Sequence, residues 1–291
     1  RTGIRQRHIA SDGESLTSLS AEAARQAMAR AGVQPGEIDT IILGTASPDH
    51  LLPATAVEVQ TVLGCTRAAA FDLAAACSGF LYGAIVGESL IASGSADTVL
   101  VIGAEKLSAI VDWTDRNTCI LFADGAGAAV LRRTRGGQKG ILSSYMRSDG
   151  ALAELLWRPA GGGAEPFSPE VFEGRRQFVR MAGREVFKHA VRSMAEATDR
   201  ALDAARLTAA DIDLLIPHQA NVRIIEATAK HAGISMDKVF INVDRFGNTS
   251  AASIPIALND AIEQGRVKEG MTVLFAAFGA GFTWGSLVVR F

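Results

Sequence analysis

Apolar positions fall into two rhythms along this chain, and their alternation predicts helices interleaved with buried strands. Residues 18–31 are alanine-rich at helical spacing and stop at Gly32, a residue suited to a helix C-terminus. Residues 38–43, ending in Ile41-Ile42-Leu43, predict a strand. Residues 45–53 read as a loop, because Ser47-Pro48-Asp49 is turn chemistry, and Pro53 is suited to the first turn of a helix over 54–63. Residues 68–73 predict a second strand. Phe80, Leu81, Tyr82, Ala84, Ile85, Val86, Leu90 and Ile91 then predict a helix that is apolar nearly all round and therefore interior. A third strand is expected at 98–103. Residues 120–131, rich in glycine and alanine and punctuated by Asp124, predict strand, tight turn, strand. Glycine-rich surface connections follow at 135–137 and 160–164, and helical spacing returns over 181–205. Later strands are expected at 213–216, 239–243 and 272–276.

An internal repeat organises this pattern. Glu37-Ile38-Asp39-Thr40-Ile41-Ile42 matches Asp211-Ile212-Asp213-Leu214-Leu215-Ile216, and the offset is 213 − 39 = 174. Ala27-Met28 and Ala201-Leu202 share that offset, as do Thr98-Val99-Leu100 and Thr272-Val273-Leu274. Each half then reads as one α/β unit with buried, mostly parallel strands joined by right-handed crossovers.

Composition narrows the class without naming a chemistry. The chain has 291 residues, 48% hydrophobic and 21% charged, which is enough for a large core and offers no basis for long disorder. A formal net charge of -2 gives no global attraction to nucleic acid or an anionic membrane, so an acidic partner would need a local basic patch. The three cysteines, Cys65, Cys77 and Cys119, form no CxxC pair or close framework, which fits a reducing compartment. No signal peptide or membrane-length apolar span is present, so the cytoplasm is expected. The chain starts at Arg1 rather than methionine and its first clear strand comes late, so a native segment before Arg1 is expected.

Cys77 is the first chemical candidate. It ends an apolar run and enters the first turn of the interior helix, where free amides and the helix dipole favour an anion and a lowered thiol pKa. Alone, it is equally a small buried hydrophobe. In the second half, the 213–216 strand leads into Pro217-His218-Gln219-Ala220-Asn221, and the 239–243 strand leads into Phe246-Gly247-Asn248-Thr249-Ser250. Alone, His218 reads as a surface or capping residue and Asn248 as a turn former. Both follow strand C-termini, where ligand sites in α/β sheets gather, so Cys77, His218, Asn248 and the Gly279-Ala280-Gly281 turn are expected to converge on one crevice.

With Arg1-Thr2-Gly3-Ile4-Arg5, Ala74-Ala75-Ala76-Cys77-Ser78-Gly79-Phe80, Phe122-Ala123-Asp124-Gly125-Ala126-Gly127, Gly247-Asn248-Thr249-Ser250-Ala251-Ala252-Ser253 and the 278–284 segment, the sequence resembles the β-ketoacyl-acyl-carrier-protein synthase III enzymes of the thiolase fold. The motifs run in that family's order and spacing over the whole chain. The resemblance implies an α/β thiolase-like fold whose duplicated halves, 1–135 with the cysteine and 136–291 with the histidine and asparagine, pack as five layers, α-β-α-β-α, with mostly parallel central sheets. It implies decarboxylative condensation of an acyl-coenzyme A starter with malonyl-acyl-carrier protein, giving 3-oxoacyl-carrier protein, carbon dioxide and coenzyme A at the start of fatty acid synthesis. Cys77 would carry the acyl group, His218 and Asn248 would stabilise the enolate, and backbone amides of Cys77 and Ala280 would hold the oxyanion. No metal or redox cofactor is implied, since coenzyme A thioester is a substrate.

The same resemblance places Arg1 and Arg116 near the adenine and phosphates of coenzyme A, and Gly183, Phe187, Ala220 and Ile224 along the pantetheine tunnel. Arg184 stands where that family often has asparagine, and the family's stacking tryptophan would precede Arg1. Lys188, Arg223 and Lys230 match carrier-protein-binding positions, each equally readable as a solvated charge, while His231 replaces a frequent lysine. Leu52 takes the place of a residue, often phenylalanine, that closes the partner subunit's acyl pocket. Its smaller side chain implies a homodimer taking a longer or branched starter. Three alternatives stay open at this point: a starter-transferring or polyketide-priming relative, a Cys/His/Asn thioester hydrolase, and a coenzyme A-binding subunit with a silent site.

Overall fold

The computed structural model describes residues 2–134 and 139–291. Arg1 and the expected boundary between residues 135 and 136 lie outside the described residues. The first half runs α1 (Leu16–Ala31), β1 (Thr40–Gly44), α2 (Thr55–Leu63), β2 (Ala69–Leu73), α3 (Gly79–Ala92), β3 (Thr98–Lys106) and β4 (Asp124–Arg132). After it come β5 (Gly140–Ser148), β6 (Leu156–Trp157), α4 (Pro169–Glu173), β7 (Arg180–Met181), α5 (Gly183–Ala205), β8 (Leu214–Pro217), α6 (Val222–Ala232), α7 (Val243–Phe246), α8 (Ser253–Glu263), β9 (Thr272–Gly279) and β10 (Thr283–Arg290).

The helix starts are set by distant carboxylates as much as by local spacing. Ser15 caps α1 and its box is closed by Ser18, while the Asp49 carboxylate accepts the amides of Leu16 and Thr17 at 2.8 Å each. The helix therefore begins two residues before its apolar rhythm does. Helix α2 starts at Thr55 rather than at Pro53, because Asp72 accepts the amides of Thr55 and Ala56 at 2.8 Å.

One sheet has the order β2-β1-β3-β4, with β1 parallel to β2 and β3 and with β4 antiparallel to β3. The other has the order β5-β10-β9-β8, in which β8 and β9 are parallel and β10 is antiparallel to both neighbours. The sheets are thus mixed, with the parallel strands belonging to the crossover units. Although β1 is buried throughout, its side chains divide by period two: Ile42 joins the core between the sheets with α3 and α8, and Ile41 and Leu43 join the outer core under α1 and α2. In the second sheet Leu214 and Ile216 face the central core, and Leu215 faces α6. Helix α5 packs on the same outer side, so the stacking is α-β-α-β-α.

The 174-residue offset recurs in the backbone and in its hydrogen bonds. Starts of β1 and β8, of α3 and α8, and of β3 and β9 all obey it. The Asp39 carboxylate accepts the Thr98 amide at 3.0 Å, and Asp213 accepts the Thr272 amide at 2.8 Å. Where the halves meet, Gly103 of β3 comes so close to α8's leading turn that a Cβ would lie 2.2 Å from the Ala251 carbonyl oxygen. Gly103→Ala is expected to destabilise at or beyond the upper end of the roughly 1–3 kcal/mol typical of overpacking, read as a Tm lower by several degrees.

Two expected strands are corrected. Residues 120–131 hold no strand-turn-strand: Phe122 forms an isolated bridge to Asn248, and β4 begins at Asp124. Asp124 is held by other duties, its carboxylate accepting from Ala10 and from both the amide and the hydroxyl of Ser108. Residues 239–243 hold no strand either. Val239 makes a single bridge to Leu215, and the buried Gln219 amide then replaces the ladder, donating to the Pro217 and Phe240 carbonyls and accepting from the Asn242 and Val243 amides.

Candidate active site

Cys77 lies on a single 3₁₀ turn, Ala76–Ser78, between β2 and α3. Ala76 takes φ 45, a left-handed value unusual for alanine, and this bend delivers the next residue to the seam between the halves. Its counterpart at the 174 offset, Ser250, takes φ 49 before the turn Ser250–Ala252. Such conformations cost on the order of 1–3 kcal/mol each and persist only where the surroundings enforce them. The surroundings do so here. A Cβ on Gly279 would lie 2.7 Å from the Cys77 amide nitrogen, Thr283 Oγ1 donates to the Ala75 carbonyl at 2.9 Å, and Ser78 Oγ donates to the Thr283 carbonyl at 3.2 Å.

His218 follows β8 directly, its amide bound to the Ala276 carbonyl at 2.8 Å. It is 5% exposed, and burial lowers its pKa to about 4, so the ring is neutral at physiological pH. Nδ1 lies 2.6 Å from Ser253 Oγ, which also receives the Gln219 amide at 3.5 Å. Ser253 Oγ is able to donate to Nδ1, the arrangement in which the imidazole proton is on Nε2. Asn248 is clamped by backbone bonds on both sides, its amide to Leu121 and its carbonyl receiving Ala123, and its Oδ1 accepts the Ser250 amide at 2.9 Å. Among the described residues, neither His218 Nε2 nor Asn248 Nδ2 has a hydrogen-bond partner. Each residue thus keeps one side-chain nitrogen unengaged, and neither is among the residues that line the cavity beside Cys77.

Buried neutral His218 also makes stability depend on pH. Its folded pKa lies below the unfolded value of about 6.5, so the unfolded chain binds the extra proton between those limits and stability falls as pH drops from 6.5 to 4. The full shift corresponds to roughly 3 kcal/mol. The expected result is a denaturation midpoint that declines through this window and declines less in His218→Gln.

The expected lowering of the Cys77 pKa is overturned. The residue is 7% exposed, and burial pushes the thiol up to about 12, against a hydrogen bond to Ser250 that lowers it and with the nearby Glu105 raising it further. Helix amides ahead of α3 do not outweigh this desolvation. Desolvation at this position favours the neutral thiol.

Beside Cys77 is a cavity of about 110 Å³, walled by Leu107, Ile110, Phe122, Leu156, Val179 and Ala280. Its apolar lining suits an acyl chain. Leu52 is not part of it: this residue is 88% exposed on the loop before α2. A larger hollow of about 600 Å³ lies elsewhere, over Arg192, Glu196, Asp199, Arg200 and His231, and contains no nucleophile. No group of three or more His, Cys, Asp or Glu residues is placed to hold a metal ion among the described residues, and no helix there is long and apolar enough to cross a membrane.

The remaining expected ligand residues are spread over the starts of α5 and α6, the end of α6 and the segment between β3 and β4. Gly183, half-buried Phe187 and exposed Lys188 lie on the first turns of α5, and Arg223 and Ile224 on the first turn of α6. The Arg223 guanidinium sits 5.4 Å from the Phe187 ring centroid, and Lys188 pairs with Glu185 at 3.0 Å. Ile224 packs in the apolar cluster that includes the cavity residues Leu107, Ile110 and Phe122. Half-buried Ala220 precedes α6, Lys230 is exposed near its end, and Arg116 is exposed between β3 and β4. Ser250, Ser253 and Glu105 were not identified from sequence as parts of the site. A glutamate closing the apolar run of β3 was the available signal for the last of them.

Comparison with known proteins follows this geometry. Residues 71–150 match the family model described as 3-oxoacyl-[acyl-carrier-protein] synthase III, and residues 202–291 match its C-terminal model. β-Ketoacyl-[acyl-carrier-protein] synthase III of Roseiflexus castenholzii is 52% identical over 290 residues, covering 100% of this chain and 88% of that protein. The enzyme of the same name from Symbiobacterium thermophilum has the same identity and coverage. The crystal structure of 3-oxoacyl-[acyl-carrier-protein] synthase III from Aquifex aeolicus superposes with a TM-score of 0.92 at 46% identity, covering 100% of this chain and 89% of the other. The priming β-ketosynthase of the R1128 polyketide pathway superposes with 0.90 at 33% identity, covering 99% and 85%. With the motifs, both halves of the scaffold and full-length identity in agreement, this chain belongs to the 3-oxoacyl-[acyl-carrier-protein] synthase III family of thiolase-fold condensing enzymes.

Proposed function

We propose that the three converging side chains divide the condensation of an acyl-coenzyme A with malonyl-acyl-carrier protein into two half-reactions. The enzyme is an acyltransferase that initiates fatty acid synthesis, releasing coenzyme A and carbon dioxide and yielding 3-oxoacyl-carrier protein. In the first half-reaction the Cys77 sulfur attacks the thioester carbonyl, the oxyanion is held by the amides of Cys77 and Ala280, and coenzyme A thiolate leaves. In the second, malonyl-carrier protein loses carbon dioxide and the enolate oxygen is held by His218 Nε2–H and Asn248 Nδ2–H. The enolate carbon then attacks the acyl-Cys77 carbonyl, and sulfur departs. The observation that carries this reading is a buried, neutral His218 whose Nε2, like the Asn248 Nδ2, has no hydrogen-bond partner among the described residues, which leaves both able to meet an enolate oxygen. A charged histidine would also bind an enolate, but burial keeps this one a neutral donor that gains and loses no proton in the step.

The chemistry is carried by side chains and backbone amides, with coenzyme A thioester as substrate and no separate cofactor. Arg116, Gly183, Phe187, Ala220 and Ile224 line its route, Arg1 extends that set, and Lys188, Arg223 and Lys230 receive the acidic carrier protein in the cytoplasm. The test is a panel of acyl-coenzyme A starters followed by malonyl-carrier protein, with mass detection on Cys77 and on the carrier. Condensation gives an acyl adduct, then carbon dioxide and a carrier-bound chain two carbons longer. Exchange without carbon dioxide would identify a transferase only, and free acid a hydrolase.

The homodimer belongs to the same proposal. Leu51 and Leu52 are 76% and 88% exposed side by side, an apolar projection that a partner subunit would cover. Leu52→Asp is expected to raise the monomer fraction in sedimentation at micromolar protein and to change the preferred starter length.

A further inference from the structure

Glu105, on β3, is wholly buried and makes no ion pair among the described residues. Burying a carboxyl group is costly unless donors meet it, and here they do. Oε2 receives Thr45 Oγ1 at 3.2 Å and Ser47 Oγ at 2.5 Å, the Ala46 amide reaches both oxygens at 3.1 and 3.2 Å, and Oε1 receives Ser250 Oγ at 2.9 Å. Thr45, Ala46 and Ser47 belong to the first half, in the segment after β1. Ser250 comes from the second half and follows Asn248 by two residues. The condensation steps above make no use of Glu105, so its bond across the seam holds a turn rather than a substrate.

That bond meets the chain at a strained point. Ser250 takes φ 49, a left-handed value that a residue with a Cβ keeps only where its surroundings enforce it. In the first half the equivalent residue, Ala76 at φ 45, is braced by close packing: a Cβ on Gly279 of β9 would lie 3.1 Å from the Ala75 carbonyl oxygen and 2.7 Å from the Cys77 amide nitrogen. Glu105 is the equivalent of Gly279, since 279 − 105 = 174. At matching places, one left-handed turn is supported by backbone contact and the other by a carboxyl group. The supported turn orients Asn248, whose Oδ1 accepts the Ser250 amide at 2.9 Å. A carboxamide has an accepting end and a donating end of similar shape, and half a rotation exchanges them. The backbone bonds of Asn248 to Leu121 and Ala123 leave that rotation open. The Ser250 amide closes it, because a donor requires Oδ1 opposite and turns Nδ2 the other way.

We infer that Glu105 is a positioning residue for Asn248: its bond to Ser250 Oγ holds the left-handed turn, the amide of that turn holds Asn248 Oδ1, and Nδ2 is left to donate to the enolate oxygen. The inference rests on Asn248 serving the second half-reaction, as proposed above. Glu105 touches no reacting atom in this role and exchanges no proton. Acting through Asn248, it cannot contribute more to carbon dioxide release than Asn248 does.

The test is a double-mutant cycle on carbon dioxide release from malonyl-carrier protein, measured per acylated Cys77 so that any change in loading drops out. Ser250→Ala and Glu105→Ala are each expected to lower kcat roughly 10- to 100-fold, the scale of a group that is present but misaligned, with KM for malonyl-carrier protein within about twofold of wild type. In an Asn248→Ala background the same substitutions are expected to change kcat by less than about twofold, because the group they position is gone. A merely structural lesion would lower the active fraction by the same factor in both backgrounds. Ser250→Ala removes a single oxygen and carries the test even where Glu105→Ala, which strips the acceptor from several buried donors, folds poorly. Wild-type release in Ser250→Ala would overturn the inference, as would equal losses in the two backgrounds. Failure of the acylated wild type to release carbon dioxide, or wild-type release in Asn248→Ala alone, would instead overturn the role of Asn248 on which the inference rests.

Discussion

Cys77→Ala is expected to leave no acyl adduct after incubation with acyl-coenzyme A and to bring condensation below detection. No neighbouring group substitutes for it: Cys65 is buried in the outer core under α1 and α2, and the hydroxyls of Ser250 and Ser47 are bound to Glu105. Intact-protein mass spectrometry reads the adduct, and radiolabelled malonyl-carrier protein reads condensation. Carbon dioxide release need not vanish with it, because His218 and Asn248 are positioned by β8, Ser253 and the 121–123 segment rather than by the sulfur. Persistence of decarboxylation in Cys77→Ala would separate the two half-reactions physically. Retained condensation in that variant would remove Cys77 from the mechanism.

The second large effect is the converse. His218→Ala and Asn248→Ala are each expected to keep loading of Cys77 and to lower carbon dioxide release and condensation about 10²–10³-fold, the cost of losing one oxyanion donor in a buried site. The acyl-enzyme should therefore accumulate in these variants when both substrates are present. If both donors serve one enolate oxygen, as proposed, the double variant should fall less than the product of the single effects. Equal losses in loading and in decarboxylation would place these residues outside the second half-reaction.

Much of this arrangement was legible before any coordinates. The 174-residue offset predicted equivalent strands, and it also carries hydrogen bonds that pattern matching could only hint at, such as Asp39 and Asp213 on the amides opening β3 and β9. The Ile41-Ile42-Leu43 run located β1, but consecutive apolar residues cannot say which of them face which core. What was not legible depends on partners far away in sequence. Helix α2 starts where Asp72 supplies a carboxylate, and the 239–243 segment turns from strand to irregular chain because Gln219 takes over its amides. The thiol pKa failed for the same reason. Helix amides near Cys77 are a local property that sequence reveals, whereas its desolvation comes from β9, β10 and the Ser250–Ala252 turn closing over it. Ser250 and Ser253 sat inside a recognised motif but, as small polar residues, gave no reason to be preferred over their neighbours.

The shared backbone turn has a counterpart that is no longer usable. At the 174 offset His218 corresponds to Gly44, Asn248 to Ala74, and Cys77 to Ala251. Gly44 admits nothing larger, since a Cβ there would lie 2.6 Å from the Gly79 carbonyl carbon. The repeat therefore carries its reactive side chains once, and at the position equivalent to His218 tight backbone contact excludes any side chain. Any side chain at position 44 would have to push β1 away from the start of α3, the helix that follows Cys77.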